Sequence, residues 1–375
     1  MQATLNVGLE SHLPPLKVVY VGNVVNHNVG WSMLRHWQEY DHAQVSVIQD
    51  RDFSAGIEGS VLGRAYRLLT RGRSWPSAVR NFNSAVKAAI FAGPADVVHV
   101  DKGYYLTNTT LRDIRVQSPR TVLINYSLDD WFSLNRKVSG PYLHSTIPLY
   151  HHIFASKRYN VAELLAAGAS SVSFLPCGYD PLIYRPAETE GVCDTRAGYD
   201  VVFVGTYEAT RAAMLEALVG RLNPDCTVKV FGNGWQKVSR RSPLRKAIAH
   251  RPLLYPEKAK VLCSSKIHLN FLRRANRDTF TDRSFELPAT GCFMLAERSD
   301  EHLALFREGT DAEFFNGVDE LVTKVERYLA DDEARMRVAI SGFRRVVSDK
   351  HTYHDRFSEI VARVGVLRET VGAEA

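Results

Sequence analysis

The chain has 375 residues, of which 45% are hydrophobic and 23% are charged, and its formal net charge is +6. This composition excludes an intrinsically disordered protein, and the length predicts two domains. No run of 18 apolar residues occurs, so we expect no membrane-spanning helix, and the first residues lack the order of a signal peptide. We therefore expect a cytoplasmic protein.

The five cysteines lie far apart and include no CxxC pair. This pattern favours reduced thiols over a disulfide framework or a zinc site. The pI near 9.0 indicates an anionic ligand or surface without identifying it.

The first elements form a βαβ pattern. LKVVYVG (16–22) predicts a strand, WSMLRHWQEY (31–40) has a helical pattern, and AQVSVIQ (43–49) predicts a second strand. Such a unit implies parallel pairing through a right-handed crossover. Further strands are predicted at 96–100, 120–127, 151–156 and 171–176, with a helix at 157–169.

The same pattern restarts after the polar segment 185–199, which we interpret as a linker. Strands are predicted at 199–206, 227–234, 264–272 and 291–297, a helix at 208–222, and further helices from about 318 onward. The alternation predicts an α/β protein with two doubly wound, Rossmann-like domains facing a cleft and a C-terminal helical tail. We place the domains at 1–184 and 200–345, and expect the helix at 346–375 to pack back on the first domain.

In doubly wound sheets, ligands bind outside the carboxyl ends of the strands. Gly205 ends a predicted strand, and Arg211 follows in the first turns of the next helix, which suits a phosphate group. Spacing alone favours the alternative, in which Gly205 permits a turn and Arg211 is a solvated helix residue. Gly22 and Gly232 could likewise let a ligand approach the backbone or only permit a tight turn. Trp235 could cover a ring of a ligand or fill the core.

Two patterns resemble metal sites but favour other interpretations. Asp50-Arg51-Asp52 has the DxD spacing of one class of sugar transferase, and we interpret it as a surface loop. His351 and His354 lie three residues apart beside Asp355, but the spacing indicates no third ligand, so capping and surface roles are favoured. We expect neither a metal nor a cofactor.

Two runs of basic residues contain no acidic residue: GRAYRLLTRGRSW, with Arg64, Arg67, Arg71 and Arg73, and KVSRRSPLRKAIAHR. A solvated face is the simplest interpretation of each. The first run also mixes basic and apolar residues as a helix on an anionic membrane surface does. Neither contains a recognition motif for nucleic acid, so we expect no such partner.

Glu286 stands between Phe285 and Leu287 in DRSFELPATGCFML (282–295), a stretch otherwise suited to burial. An unpaired buried charge costs about 3–5 kcal/mol, so Glu286 either reaches the surface or has a partner. One possible partner is Arg283 on a helix surface. Another is a ligand with two vicinal hydroxyl groups, since a carboxylate only accepts hydrogen bonds.

The chain resembles the CgeB-like glycosyltransferases, a bacterial group related to glycosyltransferase family 4 with the GT-B fold. The resemblance rests on YDVVFVGTYEATR, KVFGNGW, SSKIHLNF, RSFELPATGCFML and HTYHDR, and more loosely on DVVHVDKG, NYSLDD and FASKRYNVAELLAAGASSVSFLPCGYDPLIYRP. It covers nearly the whole chain. The order and spacing of these motifs together, and no single motif, make it specific. It implies a metal-independent, hexosyltransferase-like enzyme that uses a nucleotide-diphospho-sugar and a glycan, lipid-linked or protein acceptor.

The resemblance also implies a donor pocket in the second domain. Glu286 would accept hydrogen bonds from both ribose hydroxyls, and Gly205, Thr206 and Arg211 would lie near the diphosphate. The other residues implied for the pocket are Gly232, Asn270, Asp278, Arg283 and Gly291. Asp278 stands eight residues before Glu286, where the wider family has an acidic residue that is often glutamate, so its contact with the donor sugar stays open.

The wider family often has a catalytic histidine after the strand that matches TVLINYS. This chain has Tyr126 there, followed by Asp129 and Asp130, and we expect these three residues at the catalytic site, with Asp130 as the first candidate for the general base and Asp129 as the reserve. Gly22 and Asp101 are expected on the acceptor side of the cleft. The stereochemical course stays open.

Two alternatives remain beside the transferase. One is a nucleotide-sugar epimerase or hydrolase of the same architecture, and the other is a non-catalytic sugar-nucleotide-binding protein. Peripheral association with an anionic membrane, at the inner membrane face, is a further expectation.

Overall fold

The computed structural model describes residues 15–25, 28–53, 60–70, 75–133, 141–186, 198–254 and 257–374. The first lobe, up to residue 186, contains a parallel sheet of six strands in the order β2-β1-β3-β4-β5-β6. The strands are β1 (Leu16–Gly22), β2 (Ala43–Gln49), β3 (Val97–Asp101), β4 (Val122–Ser127), β5 (His152–Ala155) and β6 (Val172–Phe174). The helices are α1 (Val29–Glu39), α2 (Val61–Leu69), α3 (Pro76–Phe91), α4 (Asn108–Gln117), α5 (Leu143–Thr146) and α6 (Arg158–Ala166).

The second lobe, residues 198–348, contains a parallel sheet of five strands in the order β11-β10-β9-β7-β8. The strands are β7 (Val201–Val204), β8 (Val228–Phe231), β9 (Ile267–Asn270), β10 (Met294–Glu297) and β11 (Glu313–Phe315). The helices are α7 (Ala209–Val219), α8 (Glu257–Ser264), α9 (Arg283–Ala289), α10 (Asp300–Leu305), α11 (Val318–Ala330) and α12 (Asp332–Ser348), and α13 (Tyr353–Glu374) follows them.

Helices cover both faces of each sheet, which explains the continuous apolar runs of the central strands. All six residues of β4 are buried, and its neighbour β3 is buried except at Asp101, which is half-buried. Parallel strands covered on both faces lose the alternation of apolar and polar residues that marks half-exposed strands. The predicted fold class, two doubly wound α/β domains with a helical tail, is confirmed.

In each sheet, two strands are neighbours although another strand comes between them in the sequence. In the first lobe these are β1 and β3, and in the second lobe they are β7 and β9. The carboxyl ends of such strands diverge into loops on opposite faces, and the crevice between those loops is where doubly wound sheets bind ligands. The topology therefore places one such crevice at Gly22 and Asp101 in the first lobe, and the other at the residues after Val204 and Asn270 in the second lobe.

The chain crosses between the lobes twice, and the segment before the first crossing pairs with the second crossing. The amide of Tyr179 donates to the carbonyl of His351 (3.1 Å), and the amide of Tyr353 donates to the carbonyl of Tyr179 (2.9 Å). After the second crossing, Phe357 and Ile360 of α13 pack into the core of the first lobe. The last helix thus belongs spatially to the first lobe. Of the predicted linker, residues 187–197 lie outside the described residues.

Candidate functional site

Arg211 lies at the point where the two central strands of the second sheet end. It is 4% exposed in the first turn of α7. Its guanidinium donates to the carbonyl oxygens of Thr206 (3.2 Å) and Phe271 (3.1 Å), which follow β7 and β9. Burial, and then the nearby charge of Arg283, lower the pKa of Arg211 to about 10. The side chain therefore remains a cation at neutral pH.

The cationic groups of Arg211 and Arg283 are incompletely satisfied. The buried Nε atom of each has no hydrogen-bond partner among the described residues. Arg211 donates to two neutral carbonyl groups, which do not neutralise its charge. Because buried polar groups are normally paired, two such arginines at a strand-end crevice indicate a site for an anion.

A cavity of about 250 Å³ lies between the lobes, and Arg283 forms part of its wall. This volume is close to the lower end of the range of small-molecule sites, about 300–1,000 Å³. Its walls come from the start of α1, the segment that follows β6, α8, the start of α9 and the start of α13. The lining residues are Asn28, Val29, Ser32, Asp180, Ile183, Tyr184, Lys258, Asp282, Arg283, Glu286 and Tyr353.

Glu286 lines this cavity and is 13% exposed. Its partner is Lys258 of α8, whose Nζ donates to Oε2 of Glu286 (3.0 Å) and to the hydroxyl of Tyr184 (2.6 Å). Burial by itself raises the pKa of Glu286, but the charges of Lys258 and Arg283 outweigh it and hold the pKa below its usual value. The carboxylate is therefore ionised and able to accept hydrogen bonds from a ligand. A simple ion pair with Arg283 on a helix surface is not what the structure shows.

Asp282 lies one helical turn before Glu286 and lines the same cavity. Burial, and then the negative charge of Glu286, raise the pKa of Asp282. Two carboxyl groups whose pKa values are shifted in opposite directions lose their protons at different pH values. Of this pair, Glu286 ionises at the lower pH.

Gly205 and Gly232 bring the ends of β7 and β8 into close contact. The amide of Gly205 donates to Phe231 (2.8 Å), and its carbonyl accepts from the indole of Trp235 (2.8 Å). Gly232 has a φ of 139°, and a β-carbon there would overlap the carbonyl oxygen of Gly205. Both glycines therefore serve close backbone packing, and the polar groups of Gly205 are already paired. Thr206 is exposed, and its carbonyl helps to hold Arg211.

Asn270, predicted in the donor pocket, lies in the core instead. Asn270 is completely buried, donates to Ser284 (3.1 Å) and accepts from Thr281 (3.0 Å), so it ties β9 to the start of α9. Its side-chain amide is occupied by these contacts and does not line the cavity. Gly291, with a φ of 75°, follows the C-cap of α9 and also lies away from the cavity wall.

Asp278 pairs with the opposite lobe rather than lining the cavity. Its carboxylate accepts from Nζ of Lys157 (2.6 Å), and the two side chains are 6% and 4% exposed. The predicted contact with a donor sugar does not fit this pairing.

Gly22 and Asp101 lie together at the switch point of the first sheet. A β-carbon at Gly22 would lie 2.6 Å from the β-carbon of Asp101, and one at Gly30 would lie 2.6 Å from its Oδ2 atom. The carboxyl group therefore sits against bare backbone at the end of β1 and the start of α1. Burial, and then the charge of Asp50, raise the pKa of Asp101 to about 7. This is the predicted acceptor-side position.

Tyr126 and Asp130, two of the three predicted catalytic residues, are engaged elsewhere. Tyr126 is 1% exposed, and its hydroxyl donates to the carbonyl of Pro176 (3.0 Å), so it is placed to pack the core rather than to meet a substrate. Asp130 is completely buried and accepts from Arg277, Asn160 and the amide of Phe132. Burial alone raises the pKa of Asp130, but the hydrogen bonds from Arg277 outweigh it and the pKa is lowered. These contacts do not suit a general base.

Asp129 is the predicted acid that retains access to the cleft. Its side chain is 25% exposed and forms an ion pair with Lys102 of its own lobe. Arg273 of the second lobe approaches its other carboxylate oxygen at 4.0 Å. Asp129 thus lies where the two lobes face each other.

The histidine pattern that resembled a metal site has other partners. His351 accepts from the guanidinium of Arg356 (2.9 Å), and Asp355 and Thr352 form reciprocal hydrogen bonds that cap α13. Among the described residues, no group of three histidine, cysteine or acidic side chains is arranged to hold a metal ion. Of the first basic run, Arg71 and Arg73 lie outside the described residues. No helix in the described part of the chain is long and apolar enough to cross a bilayer.

Lys258 and Tyr184 were not predicted from the sequence. Lys258 donates to Glu286 and to Tyr184, and both residues line the cavity. Lys258 lies 28 residues from Glu286, on a helix that was not predicted. The unpredicted elements also include α3, α4 and β11. The one available signal for Lys258 was the need of Glu286 for a cation, which does not identify the partner.

Comparisons with known proteins agree with this architecture. Residues 211–362 match the family described as "Glycosyl transferase-like". No curated protein matches the chain. The matched segment includes α9 with Arg283 and Glu286, and it ends within α13.

Three solved structures illustrate the structural likeness. Sucrose-phosphate synthase from Thermosynechococcus elongatus is 12% identical with a TM-score of 0.65, over 96% of this chain and 100% of that chain. The α,α-trehalose 6-phosphate synthase from Burkholderia multivorans is 12% identical with a TM-score of 0.65, over 97% and 98%. Anabaena HepE, solved in complex with UDP-glucose, is 11% identical with a TM-score of 0.62, over 94% and 100%. At these identities the likeness establishes the fold, which is GT-B.

Proposed function

We propose that this protein is a glycosyltransferase that binds a nucleotide-diphospho-sugar in its second lobe and an acceptor against its first lobe. The observation that carries the proposal is the combination of an ionised carboxylate, Glu286, with the incompletely paired Arg283, on one interlobe cavity. A nucleoside diphosphate presents the complementary groups, since its ribose donates two hydrogen bonds and its diphosphate is an anion. Assignment to the CgeB-like group is part of the proposal.

Three cations would stabilise the leaving nucleoside diphosphate. Arg211 lies at the ends of β7 and β9, Arg283 lines the cavity, and Lys258 stands opposite Glu286. The N-terminus of α7 adds a partial positive charge, and no side chain caps it. Charge that develops on a leaving phosphate is stabilised by such preorganised donors, so the proposed mechanism needs no metal ion.

Asp129 is the proposed general base. It is the one of the two adjacent acids with an exposed edge, and it lies between Lys102 of the first lobe and Arg273 of the second. A base must come within hydrogen-bond reach of the acceptor hydroxyl. Asp129 lies on the surface of the first lobe that faces the second, which satisfies that need.

The relatives support a nucleotide-sugar donor without identifying the base or the sugar for this chain. HepE has been solved with UDP and with UDP-glucose. A thermal-shift screen should therefore compare the diphosphates of uridine, guanosine, adenosine, cytidine and thymidine, followed by their sugar derivatives. We expect one base to be preferred and the diphosphate to stabilise more than the monophosphate. Equal stabilisation by monophosphate and diphosphate would contradict the assignment of the arginines.

A variant pair separates the diphosphate contact from general charge. Arg211→Gln should weaken binding of the preferred diphosphate by about 10- to 150-fold, the loss expected for a hydrogen bond to a charged group. Arg221→Gln is the matched control, because Arg221 is 51% exposed on the same lobe. Donor hydrolysis and transfer, measured with the same nucleotide-sugars, distinguish a transferase from an epimerase, a hydrolase or a binding protein.

A further inference from the structure

The loop of residues 273–278, which follows β9, connects the second lobe to the first at a distance from the two chain crossings. It contains a short 3-10 turn, Arg274–Asn276, and ends in two residues that pair with the opposite lobe. We call it the cross-lobe loop. Its contacts are independent of the covalent connections between the lobes.

Arg277 forms the centre of these contacts. Its Nε and Nη2 atoms donate to the two carboxylate oxygens of Asp130 at 2.6 and 2.7 Å. Nη1 and Nη2 also donate to the two oxygens of Glu163, each at 2.9 Å. One guanidinium therefore engages two carboxylates of the first lobe in forked geometry, the strongest form of side-chain ion pair. The hydrogen bonds that Arg277 donates to Asp130, and then those to Glu163, raise the pKa of Arg277.

Asp130 is built to receive this arginine. It has no exposed surface, and it also accepts from the side chain of Asn160 (2.9 Å) and the amide of Phe132 (3.0 Å). Its own amide donates to Asn276 of the loop (2.8 Å). A buried carboxylate without its cation is strongly unfavourable, so separating the lobes at this point leaves Asp130 uncompensated.

A buried ion pair, Lys157 with Asp278, fixes the other end of the loop. Ser133 also donates to the carbonyl of Ala275 (2.6 Å). Buried ion pairs add little net stability compared with apolar contacts, but they define one relative arrangement of the groups that they join.

The backbone of Arg277 indicates that the contact is specific. Its φ of 44° and ψ of 40° lie in the left-handed region, which arginine rarely adopts. Such conformations persist where the surrounding contacts hold them. The hydroxyl of Tyr159 donates to the carbonyl of Arg277 (2.8 Å), so the first lobe holds both the backbone and the side chain of this residue.

We propose that Arg277 is a positioning residue that clamps the cross-lobe loop to the first lobe and thereby sets the separation of the two reacting sides of the cleft. Arg273 begins this loop and stands 4.0 Å from Asp129, so the position of the loop decides where Asp129 lies relative to the second lobe. The kinetic part of the proposal rests on the proposed function, whereas the clamp itself does not. Misplacement of reacting groups by about 1 Å lowers rates by about 100-fold.

The test compares Arg277→Gln with Arg274→Gln. Arg274 lies in the same loop but pairs with Glu297 of its own lobe, so its loss leaves the cross-lobe contacts intact. Small-angle X-ray scattering without substrate should show a larger radius of gyration for Arg277→Gln and an unchanged one for Arg274→Gln. In transfer assays, kcat of Arg277→Gln should fall by about 100-fold while affinity for the donor nucleotide is retained. Arg277→Lys should recover part of the loss.

A second variant protects the test against a folding defect. Asp130→Asn combined with Arg277→Gln leaves no buried unpaired charge, and it should open the lobes in the same way. Unchanged scattering for both variants would overturn the clamp. If the scattering is unchanged but nucleotide binding is weakened, Arg277 contacts the nucleotide-sugar donor. That result would also overturn the clamp. If the variants open but the parent itself transfers no sugar, the clamp is upheld and the proposed function is contradicted.

Discussion

Lys258 donates a hydrogen bond to Glu286 over 3.0 Å, and the two residues lie on different helices of the second lobe. Lys258 supplies the cation that lets a nearly buried carboxylate stay ionised, and it contacts the Oε2 atom. A carboxylate of this kind can accept further hydrogen bonds from a ligand in the adjoining cavity.

The first prediction concerns this carboxylate. Glu286→Gln keeps the size of the side chain but removes its charge, so affinity for the donor nucleotide should fall by about 10- to 150-fold. Titration calorimetry measures the loss. Glu257→Gln is the control, because Glu257 lies on the same helix as Lys258 and forms an exposed ion pair with Arg251. Equal affinities of Glu286→Gln and the parent would show that the nucleotide binds elsewhere.

The second prediction separates Asp129 from Asp130. Asp129→Asn should reduce turnover by about 10²- to 10⁴-fold, the usual contribution of a general base, with nucleotide affinity and melting temperature retained. Asp130→Asn should lower the melting temperature, because it weakens the contacts of Arg277, and any loss of turnover should come from that weakened clamp. Initial rates and thermal melts on both variants make the comparison. Full activity of Asp129→Asn would exclude Asp129 as the base.

The third prediction is a pH dependence of stability at Asp101. The folded-state pKa of about 7 lies above the ordinary value of 3.8, so in this window the folded protein keeps a proton that the unfolded chain releases. The contribution of Asp101 to stability is therefore lost as the pH rises through about 7. As the pH rises from 5 to 8, the free energy of unfolding of Asp101→Asn should therefore increase relative to that of the parent, as measured by urea denaturation. Asp113→Asn, at an ion pair on the surface of the same lobe, serves as the control and should show no such trend.

The fourth prediction concerns metal ions. If Arg211, Arg283 and Lys258 stabilise the leaving group, donor turnover should be the same with and without excess chelator. Loss of activity on chelation, with recovery on adding manganese or magnesium, would contradict this expectation. Such a result would direct attention to Asp50 and Asp52.

The fifth prediction concerns α2, which contains part of the first basic run. Val61, Leu62 and Leu69 are 73%, 73% and 85% exposed, an unusual display of apolar side chains on one short helix. Replacing all three by serine should reduce binding to vesicles with anionic lipid, measured by co-sedimentation. Val116→Ser, at a residue 79% exposed on α4, is the matched control. If the parent itself does not bind such vesicles, the membrane expectation is wrong.

The sequence by itself determined the order of the elements around which both lobes are built. Runs such as LKVVYVG and YDVVFVGT are strands in the structure because β-branched residues between glycine-rich turns favour extended backbone locally. The same local information placed Gly22 and Gly205 at the ends of central strands. It also identified Glu286 as a carboxylate that needed a partner.

Only the tertiary structure decided which side chains meet. Asp129 and Asp130 are adjacent in the sequence, yet Asp130 is closed off by an arginine 147 residues away while Asp129 keeps an exposed edge. Asn270 and Asp278 were expected in one pocket, but they pair with the core and with the opposite lobe. Contacts of this kind depend on the packing of two lobes and on long-range ion pairs, whereas local propensity depends on neighbours in the chain, so spacing cannot predict them.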